Sequence, residues 1–273
     1  MTLYRANPKH GVAWITGGSS GIGRSLAKDL AARGYVVAVT APDDHPIDTL
    51  IVETAQMAGR VAAYPCDVTD EKRMAKTVAA IEKDLGPIVL AVFNAGSYIA
   101  TPGEDLVARN FRRSFEVNYF GIINGLLPVI ERMRVRSRGH VVLIGSVTAY
   151  FGWPTTAAYG GTKAAVNILA ESLKYDFDKM NVRIQVINPG FVDTRLTEKN
   201  FLPMPGLMPV NLASRRIAQG IEYGGFEVTF PRHLSWTLKL LRMLPRPFCR
   251  WVISTVTRWN ARPLNFDRKP PVE

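Results

Sequence analysis

The 273-residue chain reads as an α/β protein, a doubly wound parallel sheet of about seven strands forming a single domain. Three observations predict this. Short β-branched runs alternate with helical patterns, most runs are apolar at consecutive positions as in strands covered on both faces, and the first run leads straight into a glycine-rich turn. Strand and helix repeated in this way give right-handed crossovers, and such sheets bind ligands beyond the carboxyl ends of their strands.

The first run, VAWIT (12–16), is followed by TGGSSGIGRSLAKDL. Gly17, Gly21 and Gly23 permit a tight turn and close backbone approach, and the following helix aims its free N–H groups at whatever lies in the turn, which suits a pyrophosphate. The second run, YVVAVTA (35–41), ends in TAPDD. An acid at this tip would accept from an adenosine ribose hydroxyl, and an Arg would hold a 2′-phosphate. Here the tip residues are Ala41 and Pro42, with Asp43 and Asp44 following, and neither device is clearly present. The third run, RVAAYPC (60–66), reaches CDV, where Asp67 either accepts from an adenine amino group or caps a helix beginning near Thr69. The pattern RMAKTVAAIEKDLG (73–86) has apolar residues at helical spacing and Gly at its end.

The fourth run, IVLAVFN (88–94), ends in NAG, where Gly96 lets a ligand come close. In the helical segment FRRSFEVNYFG, Asn118 sits mid-helix, and a buried amide there needs a partner. The fifth run, HVVLIGS (140–146), ends at Ser146, and thirteen residues later AAYGGTKAA sets Tyr159 and Lys163 one helical turn apart among small residues. An ammonium beside a phenol favours the phenolate, so the Tyr159 pKa is expected to move from about 10 toward working pH. The sixth run, RIQVIN (183–188), ends in NPGFVDT, where Pro189 and Gly190 turn the chain and Thr194 offers a hydroxyl. FEVTF (226–230) is the seventh.

A hydrophobic content of 47% with 21% charged residues suits a globular protein with a sizeable core. Two cysteines do not make a disulfide scaffold, and they suit a reducing interior. The N-terminus MTLYRANPKHG lacks the apolar run of a secretory signal, and no stretch reaches the roughly 18 apolar residues of a spanning helix, so a cytoplasmic location is expected. No metal ligand is assigned. Much of the net charge of +11 lies between residues 231 and 266, with seven basic residues and no acidic one. A second cluster, RMRVRSRGH (132–140), falls at a helix end, where the dipole favours cations.

As a set, TGGSSGIG, CDV, NAG, Asn118 in VNYFG, Ser146, YGGTK and NPGFVDT resemble the classical short-chain dehydrogenase/reductase family in order and spacing, over roughly residues 10 to 195. The resemblance implies a Rossmann-type sheet, a nicotinamide dinucleotide, and hydride exchange between a carbonyl and an alcohol. It makes Tyr159 the acid/base and gives the substrate oxygen to Ser146. Lys163 would bind the nicotinamide ribose and lower the Tyr159 pKa, while Asn118 would hold a water in a proton relay. Ser19, Ser20 and Ile22 would meet the phosphates, and Val192 and Thr194 the nicotinamide end. Gly17, Gly21, Gly23, Asp67, Val68, Asn94, Ala95, Gly96, Pro189 and Gly190 would line the cofactor. Two departures stand out: Phe93 replaces an Asn common in the family, and Pro42 stands where NADP users often carry Arg. Without the strand-tip acid of NAD users, the reading leans to NADP, with NAD as the alternative. Family members are commonly dimers or tetramers, so a homodimer or homotetramer is expected.

The segment LTEKNFLPMPGLMPVNLA falls where the family places its substrate lid (191–212), and its apolar character suits either a long apolar substrate or packing on the domain. Residues 231–273 form a C-terminal extension beyond the domain at 1–230, divided by Pro245 and Pro247 into two helical pieces. In the second piece Phe248, Trp251, Val252, Val256 and Trp259 fall on one side. With basic charges alone, the extension reads as an interfacial segment on an anionic membrane, contacting it through 231–263, or as an arm packed on another subunit or over the cleft. Its apolar bulk argues against nucleic acid. The expected activity is a carbonyl reductase, or the reverse dehydrogenase, for a hydrophobic lipid-like substrate such as a 3-ketosphinganine-like or 3-oxo lipid. The alternatives are a 3-oxoacyl carrier-protein reductase, with the arginines at 132–138 receiving an acidic carrier, and a catalytically silent protein that senses a dinucleotide or lipid. The intact Asn118, Ser146, Tyr159 and Lys163 set argues against silence.

Overall fold

A computed structural model describes residues 3–42, 47–198 and 204–264 of the chain. Asp43 and Asp44 at the second strand tip, lid residues 199–203 and the end of the extension from 265 lie outside the described residues. Seven parallel strands form one sheet in the order β3-β2-β1-β4-β5-β6-β7. They are β1 (Val12–Thr16), β2 (Val36–Thr40), β3 (Arg60–Ala63), β4 (Ile88–Phe93), β5 (Gly139–Ile144), β6 (Val182–Pro189) and β7 (Glu227–Phe230). The order reverses between β1 and β4, which opens a crevice at their carboxyl ends.

Successive strand residues point to opposite faces, so each strand feeds two cores. On one face Ala13 and Ile15 pack with Leu26 and Leu30 of α1 (Gly21–Ala32) and Ile217 and Ile221 of α7 (Val210–Tyr223). On the other face Trp14 and Phe93 meet Met74 and Ile81 of α3 (Glu71–Leu85), Met133 of α5 (Gly121–Val135) and Val166 of α6 (Ala157–Lys179). This two-sided burial explains why the strand runs carry apolar residues at consecutive positions. Phe93, the departure noted above, is fully buried with its ring edge-on to Trp14 at 5.5 Å, so it serves the core. Between β4 and α5 lie α4 (Ala108–Phe115) and a π-helical turn, Glu116–Phe120.

The extension does not stand apart from the domain. Its helices α8 (Arg232–Arg242) and α9 (Arg246–Val256) break at the prolines, as expected, and bury Leu238, Leu241, Cys249 and Ile253 against Val147, Tyr150 and Trp153. Val252, expected on a common side with Phe248 and Trp251, is partly buried against this cluster, whereas Phe248, Trp251 and Val256 remain exposed. The inner face of the extension therefore rests on the segment that follows β5. Arg262 also reaches across to Glu104 at 2.5 Å, tying the extension to the loop after β4. Cys66 and Cys249 are buried free thiols.

Candidate active site

Because all seven strands run parallel, the strand ends singled out by the sequence lie along one margin of the sheet. After β1 the chain turns through Gly17 (φ +67°) and Gly21 (φ +51°), a left-handed conformation that disfavours any side chain. A Cβ on Gly17 would lie 2.7 Å from Ala95 Cα, and one on Gly23 would lie 2.2 Å from Gly17 O. Ser20 precedes α1 without capping it through its side chain, so the first-turn N–H groups of α1 face the turn. Thr194 stands within 3.5 Å of where a Gly21 Cβ would be, which brings the chain after β6 to the glycine turn. These residues fit a dinucleotide phosphate group. Asn94 underpins the turn: its Nδ2 donates to Thr16 O (3.2 Å) and Gly17 O (3.0 Å), and the N–H groups of Asn94 and Ala95 donate to Thr16 Oγ1.

The two readings of Asp67 are resolved in part. Asp70 caps α3 by accepting from Arg73 N, so Asp67 is not the cap; its Oδ1 accepts from Thr69 N (2.9 Å) and Thr69 Oγ1 (2.8 Å) in a local turn. Val68 packs against Gly121, and its carbonyl accepts from Asn124 Nδ2. At the far side, Val192 bridges Met208, and Gly190 approaches Pro231 and Leu234 too closely for a larger residue to enter freely.

Tyr159 and Lys163 sit on the first turns of α6 as the spacing requires. Lys163 is 4% exposed, and its Nζ donates to Ile144 O at 2.7 Å while lying 5.7 Å from the centre of the Tyr159 ring. Burial holds its pKa down, to about 8. The Tyr159 phenol differs from expectation. Burial pushes it up to about 12, a hydrogen bond with Ser146 acts in the opposite direction, and Tyr98 adds to the rise. The reason is geometric: the ammonium is engaged with a carbonyl and faces the ring of Tyr159, and desolvation of the phenolate outweighs it. Tyr98 packs edge-on to Tyr159 at 5.4 Å.

Asn118 lies in the π turn, fully buried, and has the partners that burial demands. Its Nδ2 donates to Ser97 O (2.9 Å) and Thr162 Oγ1 (3.1 Å), and its Oδ1 accepts from Ser97 N (2.7 Å). Thr162 Oγ1 in turn donates to Tyr159 O, so the amide braces the turn that carries the tyrosine. Gly96 leaves room between Asn118 and Lys163, with a Cβ there 3.5 Å from Asn118 Oδ1 and 3.9 Å from Lys163 Nζ.

Ser146 lies two residues beyond β5 and caps the short helix Val147–Ala149, its Oγ accepting from Thr148 N at 3.1 Å. Its own N–H donates to Asn188 Oδ1 at 2.9 Å. Sequence reasoning did not assign Asn188 a role. Asn188 Nδ2 donates to Glu227 Oε1 (3.0 Å) and Tyr150 Oη (3.3 Å), and Glu227 accepts further from Tyr150 and from Lys239 of α8. Burial alone would raise the Glu227 pKa, but these three donors hold it below the usual carboxylate value. One signal was available in advance: Glu227 is the acid in the otherwise uncharged run FEVTF, and such a residue in a sheet needs donors.

Ser146 and Tyr159 open onto a cleft of about 60 Å³ whose other walls include Tyr98, Trp153, Phe191 and Leu196. Phe191 and Leu196 belong to the segment read as the lid, whereas Tyr98 and Trp153 were not read as site residues, because nothing local marks an aromatic as a cleft wall rather than core.

A family model described as short chain dehydrogenase matches residues 11–204. An uncharacterized oxidoreductase of Myxococcus xanthus is 35% identical over 243 residues, 89% of this chain and 96% of that protein. A short-chain dehydrogenase/reductase of Burkholderia phymatum in complex with NAD superposes with a TM-score of 0.78 at 19% identity, over 87% of this chain and 95% of the other. A short-chain dehydrogenase of Burkholderia cenocepacia in complex with NADP gives 0.75 at 23% identity, over 89% and 97%. With the glycine turn, the Ser146, Tyr159 and Lys163 set and the sheet order in agreement, the chain belongs to the short-chain dehydrogenase family and is an NAD(P)-dependent oxidoreductase.

Proposed function

We propose that the enzyme reduces the carbonyl of a long apolar, lipid-like substrate, or oxidises the corresponding alcohol, with NADP preferred to NAD. The cleft wall carries the substrate reading. Tyr98, Trp153, Phe191, Leu196 and Val147 supply apolar surface. The hydroxyls of Thr156 and Thr197 are turned to main-chain carbonyls, at 3.0 Å from Trp153 O and 2.7 Å from Val192 O. Ser146 and Tyr159 share the lining with Thr148 Oγ1 and Trp153 Nε1, which have no partner among the described residues, so the polar groups are few against a largely apolar wall, which suits a substrate with few polar atoms and an apolar remainder.

A bound nicotinamide dinucleotide supplies the hydride. Ser146 Oγ holds the substrate oxygen, and Tyr159 Oη, its pKa raised by burial, is protonated at neutral pH and ready to donate as negative charge develops on that oxygen. Lys163, anchored on Ile144 O, keeps a positive charge against the tyrosine ring below about pH 8. The NADP preference rests on the uncharged tip at Ala41 and Pro42.

The arginines at 132–138 do not favour a carrier-protein substrate. Arg132 and Arg136 pair with Glu82 at 3.8 and 2.8 Å, and Arg134 pairs with Glu131 at 2.6 Å. They lie where α5 leads into the amino end of β5, whereas Ser146 follows the carboxyl end of that strand. The test is turnover on ketones of increasing chain length with each dinucleotide, followed at the nicotinamide band. Each added methylene should raise kcat/KM about fourfold until the cleft is filled. No dependence on length, or a preference for acyl-carrier thioesters, overturns the substrate reading; a preference for NAD overturns the cofactor reading alone.

A further inference from the structure

The outer face of the extension is unlike the rest of the surface. In α8, Trp236 and Leu240 are each 62% exposed, and Met243, just past the helix, is 82% exposed. With Leu244 they follow one another at helical spacing, on the side away from Leu238 and Leu241. In α9, Phe248 and Trp251 are exposed together, ring centres 5.7 Å apart, opposite the buried Cys249 and Ile253. Monomeric proteins do not ordinarily leave such stripes bare.

The charges around these stripes are of one sign. Residues 231–266 contain no acid. Lys239 and Arg262 are paired inward, with Glu227 and Glu104. Among the described residues, Arg232, Arg242, Arg246, Arg250 and Arg258 make no ion pair. A second copy of this chain seated on the face would bring like charges together without a counter-ion. An anionic bilayer supplies both the apolar depth for the tryptophans and the negative charge for the arginines. Each helix has 11 residues, and no described helix is long and apolar enough to cross a membrane, so contact is in the plane of the interface.

We propose that the outer face of α8 and α9 docks on an anionic lipid bilayer. The inner face of the same helices backs the wall of the cleft at Val147 and Trp153, so docking sets the site beside a store of apolar molecules. The docking itself requires neither substrate nor turnover.

The experiment is flotation of the full chain with vesicles of phosphatidylcholine alone or enriched in phosphatidylglycerol, at low and high salt. Binding to the anionic vesicles alone is expected, weakening as salt rises, with a blue shift of tryptophan emission. Near the surface each arginine is worth about fivefold, so the double substitution Arg246→Gln with Arg250→Gln should weaken binding on the order of twentyfold. The pair Phe248→Ser with Trp251→Ser should also weaken it. Circular dichroism and thermal melting check that the variants fold; should they not, the salt and lipid dependence of the unaltered chain decides. Equal binding to both vesicle types, or none, overturns the proposal. So does absence of vesicle binding with a change of solution mass in the Phe248/Trp251 variant, which would assign the face to a second copy of the chain. Reductase activity measured in detergent-free buffer without vesicles separates this outcome from failure of the functional reading.

Discussion

Replacing Lys163 by Met should separate the cost of holding the ammonium from its use. The side chain is 4% exposed with a single hydrogen bond, to Ile144 O, and burial lowers its pKa from 10.5 to about 8. A difference of that size corresponds to about 3 kcal/mol between the charged and neutral forms in the folded chain. Because the folded value is the lower one, between about pH 8 and 10.5 the unfolded chain holds a proton that the folded chain has released, and raising pH across that window favours folding. Below the window both states are charged and the wild type carries the whole penalty. Met removes that penalty but leaves the Ile144 carbonyl without its donor, at about 1–3 kcal/mol. At pH 7 the variant should thus be as stable as wild type or up to about 2 kcal/mol more stable, while turnover falls at least about a hundredfold. Urea unfolding of both proteins at pH 7 and pH 10 without added dinucleotide measures this. The wild type should gain up to about 3 kcal/mol on the variant between the two conditions. A difference that stays constant, or that moves against the wild type, refutes the assignment of Lys163 as a desolvated ammonium.

Tyr159→Phe should lower kcat by about a thousandfold with dinucleotide affinity retained, as read by titration calorimetry beside steady-state rates. Gly145→Ala would put a Cβ 2.0 Å from Asn188 Oδ1 and displace the residue that holds the Ser146 N–H; a loss of about 1–3 kcal/mol in denaturant unfolding and a fall in kcat exceeding tenfold are expected. Gly17→Ala combines a left-handed backbone with a 2.7 Å approach to Ala95 Cα, so dinucleotide Kd should rise at least about tenfold and Tm should fall.

The parallel sheet was legible because burial on both faces writes itself as consecutive apolar residues, as in IVLAVF at Ile88–Phe93. The ends of strands were less so. RVAAYPC reads as a strand to Cys66, whereas β3 ends at Ala63; Tyr64 N and Cys66 N still donate to Val39 O and Ala41 O of the neighbouring strand, and Pro65 between them falls on the open side of this edge strand, where its missing N–H costs nothing. Asn118, Ser146, Tyr159 and Lys163 come together as spacing and family likeness foretold. The direction of the Tyr159 shift was not foretold, since desolvation depends on neighbours such as Tyr98 that arrive from distant sequence. The same holds for Asn188, whose role needs β5, β6 and β7 side by side. In the extension the helical period identified an apolar side, but the position of the 147–153 segment decides that Val252 turns inward while Trp251 stays outside.

The packing of α8 and α9 on Val147, Tyr150 and Trp153 bears on how the enzyme matures. A ribosome that has just added Ser146 must add roughly a hundred more residues before that wall acquires its backing, an interval of about 5–20 s in translation. Until then the half-made pocket exposes tryptophan and tyrosine to chaperones and proteases. Nascent-chain quality control would therefore meet this chain with the Val147–Trp153 side of its cleft still uncovered.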